Sequence, residues 1–146
     1  MAACWKTLHQ RAGVDVYVIA FEPRAETGFS NQLMQGIPNI LLDAQDRHNF
    51  ALVKQAVLAQ RPDVVYLGGW WHKPYRQLAF AAELKNTPLL MGMDTPWRGT
   101  LRQFVGTWLL RPYLNRIHRI IVTGERSWQY ARRLGKSSAH IMRGYS

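Results

Sequence analysis

Three short stretches carry the residue types that could do chemistry, and each follows an apolar run. The first is Gly68-Gly69-Trp70-Trp71-His72-Lys73-Pro74, after Asp63–Leu67. Its glycines let backbone approach a ligand closely. Trp70 and Trp71 offer flat apolar faces, which suit a sugar ring as well as core packing. His72 is an acid, a base or a hydrogen-bond donor by type. Gly69, Trp70, Trp71 and His72 are therefore candidate ligand contacts; the alternative is that the tryptophans plug the edge of the core.

The second stretch is Gly92-Met93-Asp94-Thr95-Pro96-Trp97-Arg98-Gly99, after Pro88–Gly92. A carboxylate at Asp94 can hold sugar hydroxyls or orient a base. Asp94 or Thr95 can instead cap a helix opening at Pro96 or Trp97. Thr95, Trp97 and Arg98 join the candidate contacts, and His72 and Asp94 are the catalytic candidates. The third stretch is Thr123-Gly124-Glu125, after Arg119–Thr123. Helix capping is the default there, and a ligand or interdomain contact is the alternative.

These stretches matter because of the elements that must position them. Val14–Ala20, Asn39–Leu42, Asp63–Leu67, Pro88–Gly92, Arg119–Thr123 and Ala139–Met142 are short runs rich in Val, Ile and Leu. Most are continuous rather than alternating, as in parallel strands covered on both faces. Helical patterns separate them. His48–Gln60 places Phe50, Val53, Val57 and Leu58 on one side. Pro74–Asn86 opens on a proline suited to a first turn. Glu125–Leu134 ends at Gly135, a C-terminal stop. The alternation predicts a doubly wound, Rossmann-like α/β domain, with a mainly parallel sheet and helices on both faces. In such sheets ligands sit beyond the carboxyl ends of strands, where all three stretches fall.

The first piece, Ala3–Arg11, is helix-like and leads straight into Val14–Ala20. The expectation is a single domain over residues 1–146 that lacks its first strand and any second domain.

At 146 residues the chain suffices for one domain with its own core. The lone cysteine, Cys4, makes no internal disulfide, which fits a reducing, cytoplasmic setting. The five histidines are scattered, and none pairs with another ligand at zinc spacing, so no metal site is expected; no cofactor is expected either. No run approaches a membrane span, and no leader is expected at the start. G-x-G-x-x-G, P-loop and G-x-S-x-G patterns are absent. The common nucleic-acid motifs are absent as well, and no nucleic-acid partner is expected.

Net charge is +10 and unevenly spread. Residues 1–94 hold nine Lys/Arg against eight Asp/Glu, whereas residues 95–146 hold ten against one, Glu125. A basic half invites a polyanionic neighbour or an acidic partner domain. Within it, Trp97, Leu101, Phe104, Val105, Trp108 and Leu109 recur at helical spacing, with Arg98 and Arg102 beside them. The favoured reading is a helix packed on the core with its arginine stems reaching water. The alternative is a helix lying on an anionic membrane face, which would place the protein peripherally at the inner membrane. Pro112 is expected to kink or restart the helix.

From Arg61 onward the order of motifs resembles the N-terminal domain of family-four, GT-B glycosyltransferases. Arg61-Pro62-Asp63-Val64-Val65-Tyr66 is similar to that family's "kPDvvh" strand, and Asn86-Thr87-Pro88-Leu89-Leu90 to its "gvPvv" strand. Met93-Asp94-Thr95-Pro96-Trp97 sits where a His-Asp or similar loop is common. Arg119-Ile120-Ile121-Val122-Thr123 resembles "adrvivvS", and Tyr130, Leu134-Gly135 and His140-Ile141 resemble the domain's closing "yl…lG…ki". The likeness covers roughly residues 14–146 and lies in the order of the motifs.

The resemblance implies an acceptor-binding half of a glycosyltransferase that moves a sugar from a nucleotide-sugar to an acceptor hydroxyl. It implies a C-terminal donor domain carrying paired glutamates, beginning near Ser146, and a chain inactive without it. A sugar or a lipid-linked acceptor is the implied ligand. Where many relatives carry a histidine, this chain has Met93 followed by Asp94. A polar role there falls to Asp94 or to His72, or this subgroup does without it. The alternatives to an enzyme half are a non-catalytic α/β binding module and a basic adaptor for membrane surfaces or nucleic acid.

Overall fold

The computed structural model describes residues 2–10, 13–22 and 36–144. Arg11, Tyr145, Ser146 and the side chain of Cys4 lie outside the described residues, and with them the crossover expected near Ser146. The described chain is mixed α/β with parallel strands, and it divides into two compact units, residues 1–61 and 62–146.

In the first unit, helix α1 (Ala2–His9) precedes strands β1 (Val18–Phe21) and β2 (Asn39–Leu42), which pair in parallel from Val18 opposite Asn39 to Phe21 opposite Leu42. The Asp43 carboxylate then accepts from the amides of Gln45 and Asp46 and bends the chain into a single 3-10 turn, Asp46–His48. Helix α2 (Phe50–Ala59) follows, capped by Asn49, whose side-chain oxygen accepts from the amides of Ala51 and Leu52. That satisfies two of the four amides a helix start leaves without intrahelical partners. Val53 and Val57 are buried, as their spacing requires.

The second unit holds four parallel strands in the order β3 (Val65–Leu67), β4 (Leu89–Met93), β5 (Arg119–Val122), β6 (Ile141–Arg143). Register pairs Val65 with Leu89, Met91 with Ile120, and Ile120 with Ile141. Burial alternates along β3, β4 and β5. Val65, Leu67, Leu89, Met91, Met93, Ile120, Val122 and Ile141 are buried, whereas Tyr66, Leu90, Gly92 and Ile121 are only half-buried. The continuous apolar runs thus fill one face fully and the other partly. Leu78, Leu84, Leu114 and Ile117 complete the core, each at most 2% exposed. Truncating one of these leucines to alanine would cost about 2–5 kcal/mol.

Two helical expectations need correction. The helix expected over Pro74–Asn86 is two pieces: α3 (Lys73–Leu78) and a 3-10 turn, Ala82–Leu84. The break lies at Ala79–Ala81. Both alanines are buried, and the Ala79 carbonyl accepts from Arg116 Nε at 2.8 Å. A charged donor with that geometry competes well with the next helical amide.

The second correction concerns α4 (Leu101–Leu109), expected to pack its apolar face on the core. None of its residues is buried. Leu101, Trp108 and Leu109 are 79%, 74% and 76% exposed, and Phe104 and Val105 about half. The helix turns its small and polar side inward instead. Gln103, Gly106 and Thr107 are half-buried, and Gly106 sits against the Tyr130 hydroxyl. Gln103 fixes this orientation: its Nε2 donates to the Pro96 carbonyl at 2.9 Å and its Oε1 accepts from the Arg98 amide at 2.8 Å. Each large apolar side chain left in water forgoes roughly 1.5–3 kcal/mol of burial. Helix α5 (Arg111–Arg116) restarts at Pro112, and α6 (Glu125–Arg133) leads to Gly135 at φ 91°, the left-handed stop its sequence position demands.

Candidate functional site

The four strands of the second unit are parallel, so their carboxyl ends share one edge. Loops 68–72, 94–100 and 123–124 leave from that edge, and with them all three chemically loaded stretches.

Gly69 is required at its position. Its φ of 133° is open only to glycine, and a Cβ there would stand 3.5 Å from Trp71 Cδ1 and 3.9 Å from the Gly92 carbonyl oxygen. Its carbonyl accepts from the buried Tyr113 hydroxyl at 3.1 Å, which anchors the loop to α5. Burial holds the Tyr113 phenol well above its ordinary pKa, so it remains a donor.

Beyond Gly69 the loop splits its side chains. Trp71 is exposed, whereas His72 is 2% exposed. The His72 ring packs between its neighbours: its centroid lies 5.2 Å from that of Trp71, edge-on, and 4.9 Å from that of Tyr75. His72 therefore shapes the loop from beneath and does not face the open edge.

Trp70 and Trp97 come from different loops and converge on one ring. Trp70 meets Tyr130 edge-on at 5.9 Å, and Trp97 meets it at 5.2 Å, tilted 50°. Phe104 packs edge-on against Trp97 at 5.0 Å. Offset and edge-to-face contacts of this kind add about 0.5–1.5 kcal/mol per pair beyond area burial. The Arg133 guanidinium lies over the Trp97 ring, 4.8 Å from its centroid. Backbone pins the same corner, since the Trp97 amide donates to the Arg126 carbonyl at 3.3 Å. The outcome is an aromatic corner with a cation on it, built from β4's loop, β3's loop and α6.

A polar group borders this corner. The Tyr66 side chain reaches along the sheet to Gly92, where any Cβ would overlap its hydroxyl. Burial raises the Tyr66 pKa, and the negative charge of Asp94 raises it further. Tyr66 thus keeps its proton beside an exposed carboxylate. Asp94 and Thr95 cap nothing, because the helix starts later, with Thr100 accepting from the Gln103 amide. Arg98 and Thr95 stand exposed on the same loop.

The third stretch is held separately. Gly124 is the N-cap of α6, so the cap falls in the stretch expected but without a side-chain bond; Thr123 is exposed. Glu125 pairs with Arg143 at 3.0 Å. Arg143 and Arg132 both stand over Trp128, at 5.5 and 5.9 Å.

Among the described residues no cluster of His, Cys, Asp or Glu could hold a metal ion, and no helix is long and apolar enough to cross a membrane. A cleft of about 440 Å³ lies at the opposite edge, where the chain enters β5 and β6. Its polar groups serve the loops: Lys136 Nζ donates to the Ile117 carbonyl, and Ser137 Oγ bonds His140 Nδ1.

Gly69, Trp70, Trp97 and Asp94 thus gather at the strand-end edge, while His72 and Glu125 are otherwise engaged. Tyr66, Tyr130 and Gln103 border the same corner and are not among the residues that the sequence pattern singles out for the site. A signal existed for Tyr66: a tyrosine one residue short of a strand end, beside a strand containing a glycine.

The family model for the glycosyl transferase 4-like domain matches residues 4–143. The chain belongs to that family. No curated protein and no solved structure matches it. A glycosyl transferase 4-like domain is the N-terminal type expected from the motif order. The parallel α/β architecture, with its loops gathered at one strand edge, agrees with that assignment.

Proposed function

We propose that this domain holds the acceptor of a glycosyl transfer at the carboxyl edge of its four-stranded sheet. The reaction moves a sugar from a nucleotide-sugar to an acceptor hydroxyl. A separate domain grips the donor, and no metal takes part. The observation that carries this reading is the convergence of Trp70 and Trp97, from two strand-end loops, on Tyr130.

Flat aromatic faces match the apolar C–H faces of a sugar ring. Asp94 accepts from sugar hydroxyls. In this reading Asp94 also draws the proton from the attacking hydroxyl. Arg98 and Arg133 favour an acceptor that carries negative charge. Acceptor sugars titrated into the protein without nucleotide-sugar test this reading. Binding that weakens at least about tenfold in Trp97→Ala supports it. Equal binding by the variant and the wild type contradicts it. Binding without turnover, in the presence of donor and a donor domain, would favour a non-catalytic module.

A further inference from the structure

We propose that α4 is a docking helix that lies flat on an anionic lipid surface. Its apolar residues, Leu101, Phe104, Val105, Trp108 and Leu109, follow the i, i+3, i+4, i+7, i+8 spacing of a single helix face, and that face points to solvent. The inward side is built from Gln103, Gly106 and Thr107 and is tied down by the two Gln103 bonds to the preceding loop. The exposure is therefore a consequence of how the helix is fastened.

Charge complementarity selects the occupant. Arg98, Arg102 and Arg111 are exposed around the apolar face, and the Arg111 guanidinium stands over Trp108, 5.5 Å from its centroid. From Thr95 to Gly124 the sequence holds no acidic residue. An apolar stripe carrying tryptophan, rimmed by arginine, is the pattern of a helix lying in the plane of a headgroup layer. Nine residues are too few to cross a bilayer, so the helix lies in its surface. Arginines near an anionic leaflet add attraction that salt screens. The inference does not rest on the acceptor reading, because lipid binding needs no sugar. Phe104 links the two regions, with its ring against Trp97, so a docked α4 would bring the aromatic corner to the lipid surface.

The test is flotation of the full chain with vesicles of phosphatidylcholine containing about 30% phosphatidylglycerol, against phosphatidylcholine alone. Binding is expected only with the anionic lipid and should weaken steeply as salt rises from roughly 0.1 M to about 1 M. Each of Arg98→Gln, Arg102→Gln and Arg111→Gln should weaken it about fivefold. The pair Leu101→Ser and Leu109→Ser should weaken it at least about tenfold. All five positions are exposed, so these variants should melt with the wild type. Quenching by brominated lipid should fall in Trp108→Phe, a variant that stays bound. Three outcomes overturn the proposal: no binding to anionic vesicles at low salt; binding that the leucine pair leaves intact; or a lower melting temperature in the leucine pair, which would show the face covered by protein. Self-association without lipid that the leucine pair abolishes, together with absent vesicle binding, would assign the face to a second copy and overturn it as well.

Discussion

Trp97 and Tyr130 are joined twice over: their ring centroids lie 5.2 Å apart, and the backbone at Trp97 is bonded to the turn of α6 that precedes Tyr130. A loop that leaves β4 is thus locked to a helix that begins after β5. The candidate site depends on this lock, since Trp70 reaches the same tyrosine from a third element.

Trp97→Ala should therefore act on stability as well as on binding. It removes ring contacts to Tyr130 and Phe104 and the cation–π contact to Arg133. The expected loss is about 1–3 kcal/mol, less than a fully buried tryptophan would cost, because Trp97 is half-buried. Denaturant unfolding monitored by circular dichroism measures it. A change below a few tenths would show that the corner is not a packed unit.

Gly92 and Tyr66 form a second dependent pair. A Cβ at position 92 would overlap the Tyr66 hydroxyl and stand 2.9 Å from its Cζ. Gly92→Ala should cost about 1–3 kcal/mol through this overpacking. Combined with Tyr66→Phe, the cost should be clearly less than additive, since the hydroxyl overlap is gone. A double-mutant cycle decides the matter, and strict additivity would place the tyrosine elsewhere.

The phenol at Tyr66 also sets a pH dependence. Its pKa is raised above 10.0 by burial first and by Asp94 second. Above pH 10 the unfolded chain gives up this proton while the folded chain keeps it. Stability is thus fully present below pH 10 and falls as pH rises through the folded value. Tyr75, Tyr113 and Tyr130 are also raised by burial and act in the same direction. Burial lowers Lys136, which acts oppositely just below its ordinary 10.5. Asp94→Asn should move the Tyr66 titration back toward 10, read by ultraviolet absorbance of phenolate. An unmoved titration would separate the two groups.

How much of this was legible in the sequence follows from what periodicity encodes. The six strands were placed to within a few residues, because Val/Ile/Leu runs next to glycine and proline are local signals. Pattern shows which side chains share a helix face, but not which face the protein covers. Leu101, Phe104, Val105 and Trp108 share one helix face as their spacing requires, but that face is exposed rather than set in the core. What decides the direction is Gln103, a side chain bonding to a loop five to seven residues behind it, and no hydropathy pattern carries that. The same limit hid the break at Ala79, which depends on Arg116, distant in sequence. Strand-end position did locate Trp70, Asp94 and Trp97, but it could not show that His72 turns inward next to an exposed Trp71.

Tyr113→Phe offers a conservative check on the first loop. It deletes the buried hydrogen bond to the Gly69 carbonyl and nothing else in volume. A loss of about 0.5–1.5 kcal/mol is expected, together with a changed environment for Trp71. Tryptophan fluorescence alongside thermal unfolding would register both. No change in either would mean that the bond does not hold the loop.

The central claim is that acceptor, rather than donor, sits at this strand edge. Steady-state kinetics of Asp94→Asn, in the protein joined to a donor domain and with each substrate varied in turn, tests it most directly. Asp94→Asn should lower kcat and raise the KM for acceptor at least about tenfold, with the KM for nucleotide-sugar unchanged. A raised KM for nucleotide-sugar with acceptor unaffected would contradict it.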